Sequence, residues 1–327
     1  MVSVHKLHKL YSDVSVSCLS PYLEELSVYL GQKEAYASAS ETMETLLHVR
    51  VNGMQIQRQV MNYGEKVESL LSEETPPLEL GSEEPVYGMM DGAMIFTREE
   101  GWKEVKLGRV FKERALFSLN EKRNWVRNSE YISHLGEHKA FEQKFGVVLD
   151  KYEHLDKRLV FIGDGAKWIW NYVQAEYPKA TQILDFYHAA EHLAKFSKFY
   201  FHKKDSEQAQ KWLESTRKLL KEQGVKSMLQ QIEALEQKTP TIEAERQRLI
   251  NYIKNNQKRM DYPTFIKKGL LIGSGAIEAA HRTVTQKRLK LSGQRWSKIG
   301  AQRVLNLRTI ALSDRWYQLQ NIIRQRA

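Results

Sequence analysis

"RLVFIGDGA", residues 158–166, decides how this chain is built. Four apolar residues, Leu159 to Ile162, run unbroken and stop at Gly163-Asp164-Gly165. A short continuous apolar run closed by turn residues is the pattern of a strand buried on both faces. Residues of helical character follow from Ala166 to Tyr177, ended by Pro178. "TQILDFYH" (181–188) then repeats the pattern, a short apolar strand running into a helix. Strands that alternate with helices imply parallel pairing.

Upstream, "VYGMMDGAMIFT" (86–97) and "GWKEVKLGRVF" (101–111) read as a hairpin. A third strand is expected from Arg114 to Leu119 and a helix from Glu137 to His154. The order of three strands, helix, strand, helix, strand, helix gives an α/β sheet with an antiparallel start and parallel additions. Downstream, residues 205–258 are polar and helical, with Thr239-Pro240 as N-cap and first-turn proline. They interrupt the α/β pattern.

Residues 20–72 read as helices: one opened by Ser20-Pro21, one from Ala35 to His48, one from Met54 to Leu71 with Asn52 as N-cap. Helix, short break, helix is the outline of a helix-turn-helix, and equally of an ordinary helical hairpin. "SEETPPLELGSEEP" (72–85) is acidic, holds Pro and Gly, and reads as a linker. The division is a helical N-terminal region 1–72, a linker 73–85, a first part of the α/β core 86–202, a helical insertion 203–268, and a C-terminal part 269–327.

The chain has 327 residues and one cysteine, Cys18. One cysteine rules out an internal disulfide and fits a reducing, cytoplasmic setting. No apolar run approaches the roughly 18 residues of a membrane span, and the N-terminus lacks the continuous apolar core of a signal peptide. Net charge is +10. From Ala279 to Ala327 eleven Lys and Arg face the single acid Asp314, an excess of ten that equals the charge of the whole chain. A basic stretch interleaved with Trp296, Trp316 and Tyr317 suits a polyanion; the plain alternative is a solvated helix face.

Three carboxylates share a context. Ligand sites in open α/β sheets form beyond the carboxyl ends of parallel strands, where Asp164 and Asp185 stand. The strand order sets the first strand beside that of Asp164, bringing Asp91 alongside. Glu278, in the first turns of a helix opened by Gly273-Ser274-Gly275, would reach the same place if that helix packs across the sheet. Converging carboxylates repel unless a cation relieves them. Magnesium takes oxygen ligands, and two such ions activate a water or 3′-hydroxyl on a phosphodiester. The alternative is that each acid is separately solvated, Asp164 being a turn residue between glycines.

"DFYHAAEH" (185–192) contains H-x-x-E-H, a string also used by one class of zinc peptidase. That reading leaves Asp164, the GSG-Glu helix and the basic C-terminus unexplained. A supporting role for His188 is favoured, with Glu191 and His192 as scaffold. Beyond Glu278, Arg282, Lys287, Arg288 and Lys290 lie on one helix, and Arg295 and Trp296 follow in "RLKLSGQRWS". Arg for phosphate and Trp for an exposed base would suit DNA; Trp296 in the core is the alternative.

"FIGDGAKWIWNYV", "ATQILDFYHAAEHL" and "IGSGAIEAAHRTVTQKRLKLSGQRWS" resemble the transposases of bacterial insertion sequences, of the Kra-type group, which is similar to Mutator-like DDE transposases with an RNase H-like core. The resemblance spans about residues 86–312. It implies an RNase H-like mixed sheet interrupted by an all-helical insertion, with an α-helical N-terminal domain. It matches Asp91, Asp164 and Glu278 to the catalytic acids, with spacings of 73 and 114 residues. Asp185 and His188 match the (C/D)-x-x-H element. It further implies two Mg²⁺ or Mn²⁺ ions, double-stranded DNA as partner (element ends and target), a homodimer or larger assembly, a nucleoid-associated location, and metal-dependent strand cleavage and transfer. A non-catalytic DNA-binding remnant is the rival reading.

Overall fold

The computed structural model describes residues 19–71, 84–120, 123–152, 158–201 and 206–325. The N-terminal stretch with Cys18 and most of the expected linker lie outside them. Five strands form the central sheet: β1 (Val86–Thr97), β2 (Gly101–Lys112), β5 (Glu130–Leu135), β6 (Leu159–Gly163) and β7 (Thr181–Leu184), in the spatial order β5-β2-β1-β6-β7. β2 pairs antiparallel with β1 and β5, while β1·β6 and β6·β7 are parallel. The hairpin and the two parallel strands therefore stand where the sequence sets them.

The third strand does not. β3 (Leu116–Asn120) pairs with β4 (Arg123–Val126) in a separate two-stranded ribbon. The sheet takes "EYISHL" (130–135) as its third member, whose buried Ile132, Ser133 and Leu135 do not alternate cleanly with polar residues. β5 is an edge strand, and edges need cover. Its Tyr131 and Leu135 amides donate to Ser313 Oγ and Gln302 Oε1 at 2.9 and 2.7 Å.

Successive strand residues face opposite sides. A Cβ on Gly108 would meet Phe145, on α4 (His138–Leu149), at 2.4 Å. The next residue, Arg109, donates from Nη1 to Ala276 O, on the helix that carries Glu278, at 2.7 Å. The sheet thus lies between two helical layers. One holds α4 and α5 (Lys167–Glu176). The other holds α11 (Gly275–Ala280), a π-helical turn (His281–Gln286), α12 (Lys287–Leu289) and α13 (Lys298–Leu312). α5 buries Trp170 and leaves Trp168 partly covered. After β7, α6 (Phe186–Tyr200) leads into the helical insertion, α7 (Ser206–Gln223), α8 (Val225–Glu233) and α9 (Pro240–Asn256), and α10 (Tyr262–Lys267) returns the chain to the core. α9 is capped by Thr239.

The N-terminal helices are α1 (Pro21–Gly31), α2 (Tyr36–Leu47) and α3 (Gly53–Leu71), and a last helix, α14 (Trp316–Arg324), closes the chain. Asn52 caps α3 reciprocally: its Oδ1 accepts from Gln55 N at 2.9 Å while Gln55 Oε1 accepts from Asn52 N at 3.2 Å. α3 buries Ile56, Val60, Tyr63, Gly64 and Val67. Asn306 of α13 donates to Gly64 O at 3.0 Å, and a Cβ on Gly64 would lie 2.6 Å from Arg303 O. The missing side chain is what lets these two helices approach so closely.

The C-terminal basic stretch is the main departure from expectation. Arg288 is 1 % exposed; its Nε donates to Gly31 O at 3.1 Å, and its guanidinium lies over the rings of Tyr36 and Trp296 at 4.8 and 4.7 Å. Arg308 is buried and donates to Gln32 O at 2.7 Å, Val284 O at 2.7 Å and Thr283 O. α1 has no basic residue in its own last turn. Its orphan carbonyls take donors from the far end of the chain instead. Burial pushes the Arg308 guanidinium down to about 10, which leaves it charged at neutral pH.

Candidate active site

The parallel registers set the site. Met89 pairs with Ile162, so two residues on, Asp91 comes level with Asp164. Gly163 pairs with Leu184, so one residue on, Asp164 comes level with Asp185. Three acids thus stand at one height across neighbouring strands, at the carboxyl ends of β6 and β7, where α/β sheets place ligands. β1 runs on past this level to Thr97, paired with β2 and bridged at Thr97 to Trp296, so the hairpin projects beyond the acids.

Each acid is held differently. Asp91 Oδ1 accepts from Gly92 N at 2.7 Å. Burial first, then the charges of Asp164, Glu278 and Glu104, raise its carboxyl to about 6. Asp164 Oδ1 accepts from Ala166 N at 2.9 Å, and its backbone carbonyl from Trp170 Nε1 at 2.8 Å, which fixes the strand-to-helix turn. Asp185 is 4 % exposed. It caps α6 through Tyr187 N (2.9 Å) and accepts from Ser274 Oγ (2.6 Å), while Phe186 N donates to Ile272 O (2.9 Å). Asp185 therefore fastens the GSG loop, and with it Glu278, to the end of β7. A Cβ on Gly273 would lie 2.9 Å from the Tyr187 ring, so a side chain there would have to displace that ring.

Asp91, Asp164, Asp185, His188, Glu191, Ser274 and Glu278 line one cleft of about 140 Å³. Like charges repel, and the carboxylates sit around this cleft rather than drawn to a point. Among the described residues no group of three His, Cys, Asp or Glu side chains is gathered as a metal cage. The donor set nonetheless fits a hard divalent cation: carboxylate oxygens, excess negative charge and one acid already pushed up by burial and then by its neighbours.

The H-x-x-E-H string is used for packing. His192 lies flat on Tyr252 of α9 at 3.9 Å, and His188 stands edge-on to His192 at 5.1 Å. His188 Nδ1 is 4.0 Å from Glu191 Oε2. Two groups escape sequence reasoning. His281, buried, approaches Asp91 Oδ2 with Nε2 at 3.5 Å. Burial lowers its imidazole to about 4, so the contact is not an ion pair at neutral pH. Tyr252 comes from the insertion; burial, and then the charges of Asp164 and Asp185, push its phenol well above the ordinary value. The only signals were a His three residues after Glu278 and an aromatic in a polar helix.

Of the residues expected to face DNA, Arg282, Lys287, Lys290 and Arg295 are exposed. Arg288 and Trp296 are corrections. Both are interior, Trp296 at 8 % exposure, with its carbonyl accepting from Arg98 N at 2.9 Å. The π turn explains Arg288. Its wider i→i+5 spacing adds a residue to the helical cycle, which rotates the residues beyond it by about 100° relative to an unbroken α-helix.

A family model described as an uncharacterised protein family, UPF0236, matches residues 86–318. The chain belongs to that family. The UPF0236 match begins at the first residue of β1 and takes in every strand, the insertion and all the acids of the cleft; α1–α3 precede it. No curated protein matches the chain.

Proposed function

We propose that this UPF0236 protein cuts and joins DNA strands as a DDE transposase with an RNase H-like core. The observation that carries the reading is the register. Asp91 and Asp164 come level on adjacent parallel strands, and Glu278 lines the same cleft. The mixed sheet, with a helical insertion between α6 and the Glu278 helix, is the arrangement the resemblance implies.

Asp91, Asp164 and Glu278 would hold magnesium, which when bound supplies activation of a water or 3′-hydroxyl and stabilisation of the leaving oxygen. The chain's own groups do the rest. Asp185 and Ser274 hold the Glu278 helix against the sheet. Arg109, buried and bonded to Ala276 O and Ser129 Oγ, holds it from the β2 side. Exposed Arg282, Lys287, Lys290 and Arg295 offer phosphate contacts beside the cleft. The exposed Asn52, Gln55, Gln57 and Arg58 at the start of α3 fit a groove-reading helix, with α2 before it.

The test is Mg²⁺-dependent cleavage of duplex DNA by the full chain. Asp164→Asn is expected to lower the rate at least about 100-fold while leaving DNA affinity in place. The spread of the three carboxylates favours a second reading, a DNA-binding protein that does not cut. Equal rates for wild type and Asp164→Asn would support that one.

A further inference from the structure

The helix that carries Glu278 runs on, three residues later, into His281, the first residue of the π turn. Glu278 lines the cleft, while His281 is 3 % exposed and packs against Asp91, which lines the cleft too. Its Nε2 is shut off from solvent and lies 3.5 Å from Asp91 Oδ2, and among the described residues it closes no hydrogen bond. A buried polar atom left in that state calls for an explanation. Nδ1 faces Thr285 Oγ1 at 3.5 Å, within the same π turn. An ionised carboxylate only accepts, whereas a hydroxyl donates or accepts. The ring facing it therefore carries a proton on Nε2 whether or not Nδ1 is protonated, so the contact does not turn on the imidazole's charge. The turn that holds the ring is itself pinned, since Arg308 donates to Val284 O at 2.7 Å and to Thr283 O. The Asp91 backbone also draws on the ring, but it is fixed in the β1·β2 pairing, and the carboxylate is the part able to rotate.

We infer that His281 is a positioning residue for Asp91: its Nε2–H donates to Oδ2 and fixes the rotation of the carboxylate. Oδ1 already accepts from Gly92 N at 2.7 Å. One lone pair of each oxygen is then held by the protein and one is left for a divalent cation. His281 touches no substrate and acts only through Asp91. Hydrogen bonds among catalytic groups are often long in a resting site and tighten as the reactants assemble. A single helix thus supplies one acid of the cleft and orients another. The inference rests on the reading above, in which Asp91 is a cation ligand.

Mn²⁺ titration of the full chain without DNA, followed by electron paramagnetic resonance, reads this role apart from cleavage. His281→Leu removes both ring nitrogens and should weaken Mn²⁺ binding at least about tenfold. His281→Asn keeps a polar group but is too short to reach Asp91, and should bind as weakly, so the outcome does not depend on how the leucine variant folds. His281→Gln can place an amide donor near the position of Nε2, and should bind within about threefold of wild type. The inference alone is overturned if Asp91→Asn loses Mn²⁺ while the leucine and asparagine variants bind within twofold of wild type, or if His281→Gln binds no better than they do. A wild type that binds no Mn²⁺ would sink the cation reading and this inference together. Equal cleavage by wild type and Asp164→Asn would sink the cleavage reading alone, and the Mn²⁺ titration would still decide the role of His281.

Discussion

Arg288 illustrates how far a charge can be from its expected use. Its guanidinium is enclosed by Tyr36, Trp296, Gln294 and the Gly31 carbonyl. Arg288→Ala would leave a cavity and an undonated carbonyl at the end of α1, a loss of at least about 3 kcal/mol in urea unfolding. Exposed Lys290→Ala, two residues away, should change stability by less than about 0.5 kcal/mol. Equal effects would refute the assignment of roles. His134 gives a prediction in pH. Burial first, then Lys144, opposed by Glu68 and joined by the smaller effects of Lys106 and Lys298, lowers it from 6.5 to about 4. The folded state therefore binds this proton less readily than the unfolded state. The stabilisation is complete above about 6.5 and is lost as pH falls through that window towards 4. The urea midpoint should drop more between pH 7 and pH 4.5 in wild type than in His134→Asn. At this scale the sequence exposed the acids, because strand ends advertise themselves by apolar runs. Tyr252 and His281 stayed hidden, because their value comes from partners distant along the chain.

The elements were legible where a single period ran its course. β1, β2, β6, β7, α1 and the insertion helices follow from apolar runs, alternation and caps such as Ser20 and Thr239. β5 was missed because Tyr131 and His134 dilute its pattern, and the stronger apolar signal at Leu116 went to a ribbon outside the sheet. The π turn was invisible because residues 275–289 read equally well as one α-helix. Gly64 tests the packing of α3 on α13. Alanine has the higher helix propensity, by about 1 kcal/mol, so an isolated α3 would gain from Gly64→Ala. In the protein the new Cβ would meet Arg303 backbone at 2.6 Å. Overpacking of that kind costs about 1–3 kcal/mol, so the clash should win and the thermal midpoint should fall. A rise would show that the two helices can part freely.

Across the whole molecule, the +10 charge is less available than its sum suggests. Arg288 and Arg308 are interior, and Arg303 is paired with Glu65 at 2.6 Å. Of the exposed cations after Glu278, four precede α13: Arg282, Lys287, Lys290 and Arg295. If each meets a phosphate, they account for about 3 to 4 units of the slope of log affinity against log salt. Replacing all four with Gln should flatten the slope by that amount in an anisotropy titration, and an unchanged slope would place DNA elsewhere. Charge asymmetry was readable in the sequence, but its division between surface and interior was not, since that depends on α1 ending at the C-terminal helices. No helix among the described residues is long and apolar enough to cross a membrane. The two arginine clamps have a mechanical consequence. They rivet the junction of α1 and α2 to the segment immediately behind Glu278, so a load on those two helices is transmitted through rigid guanidiniums to the carboxylate's own backbone, as along a crank.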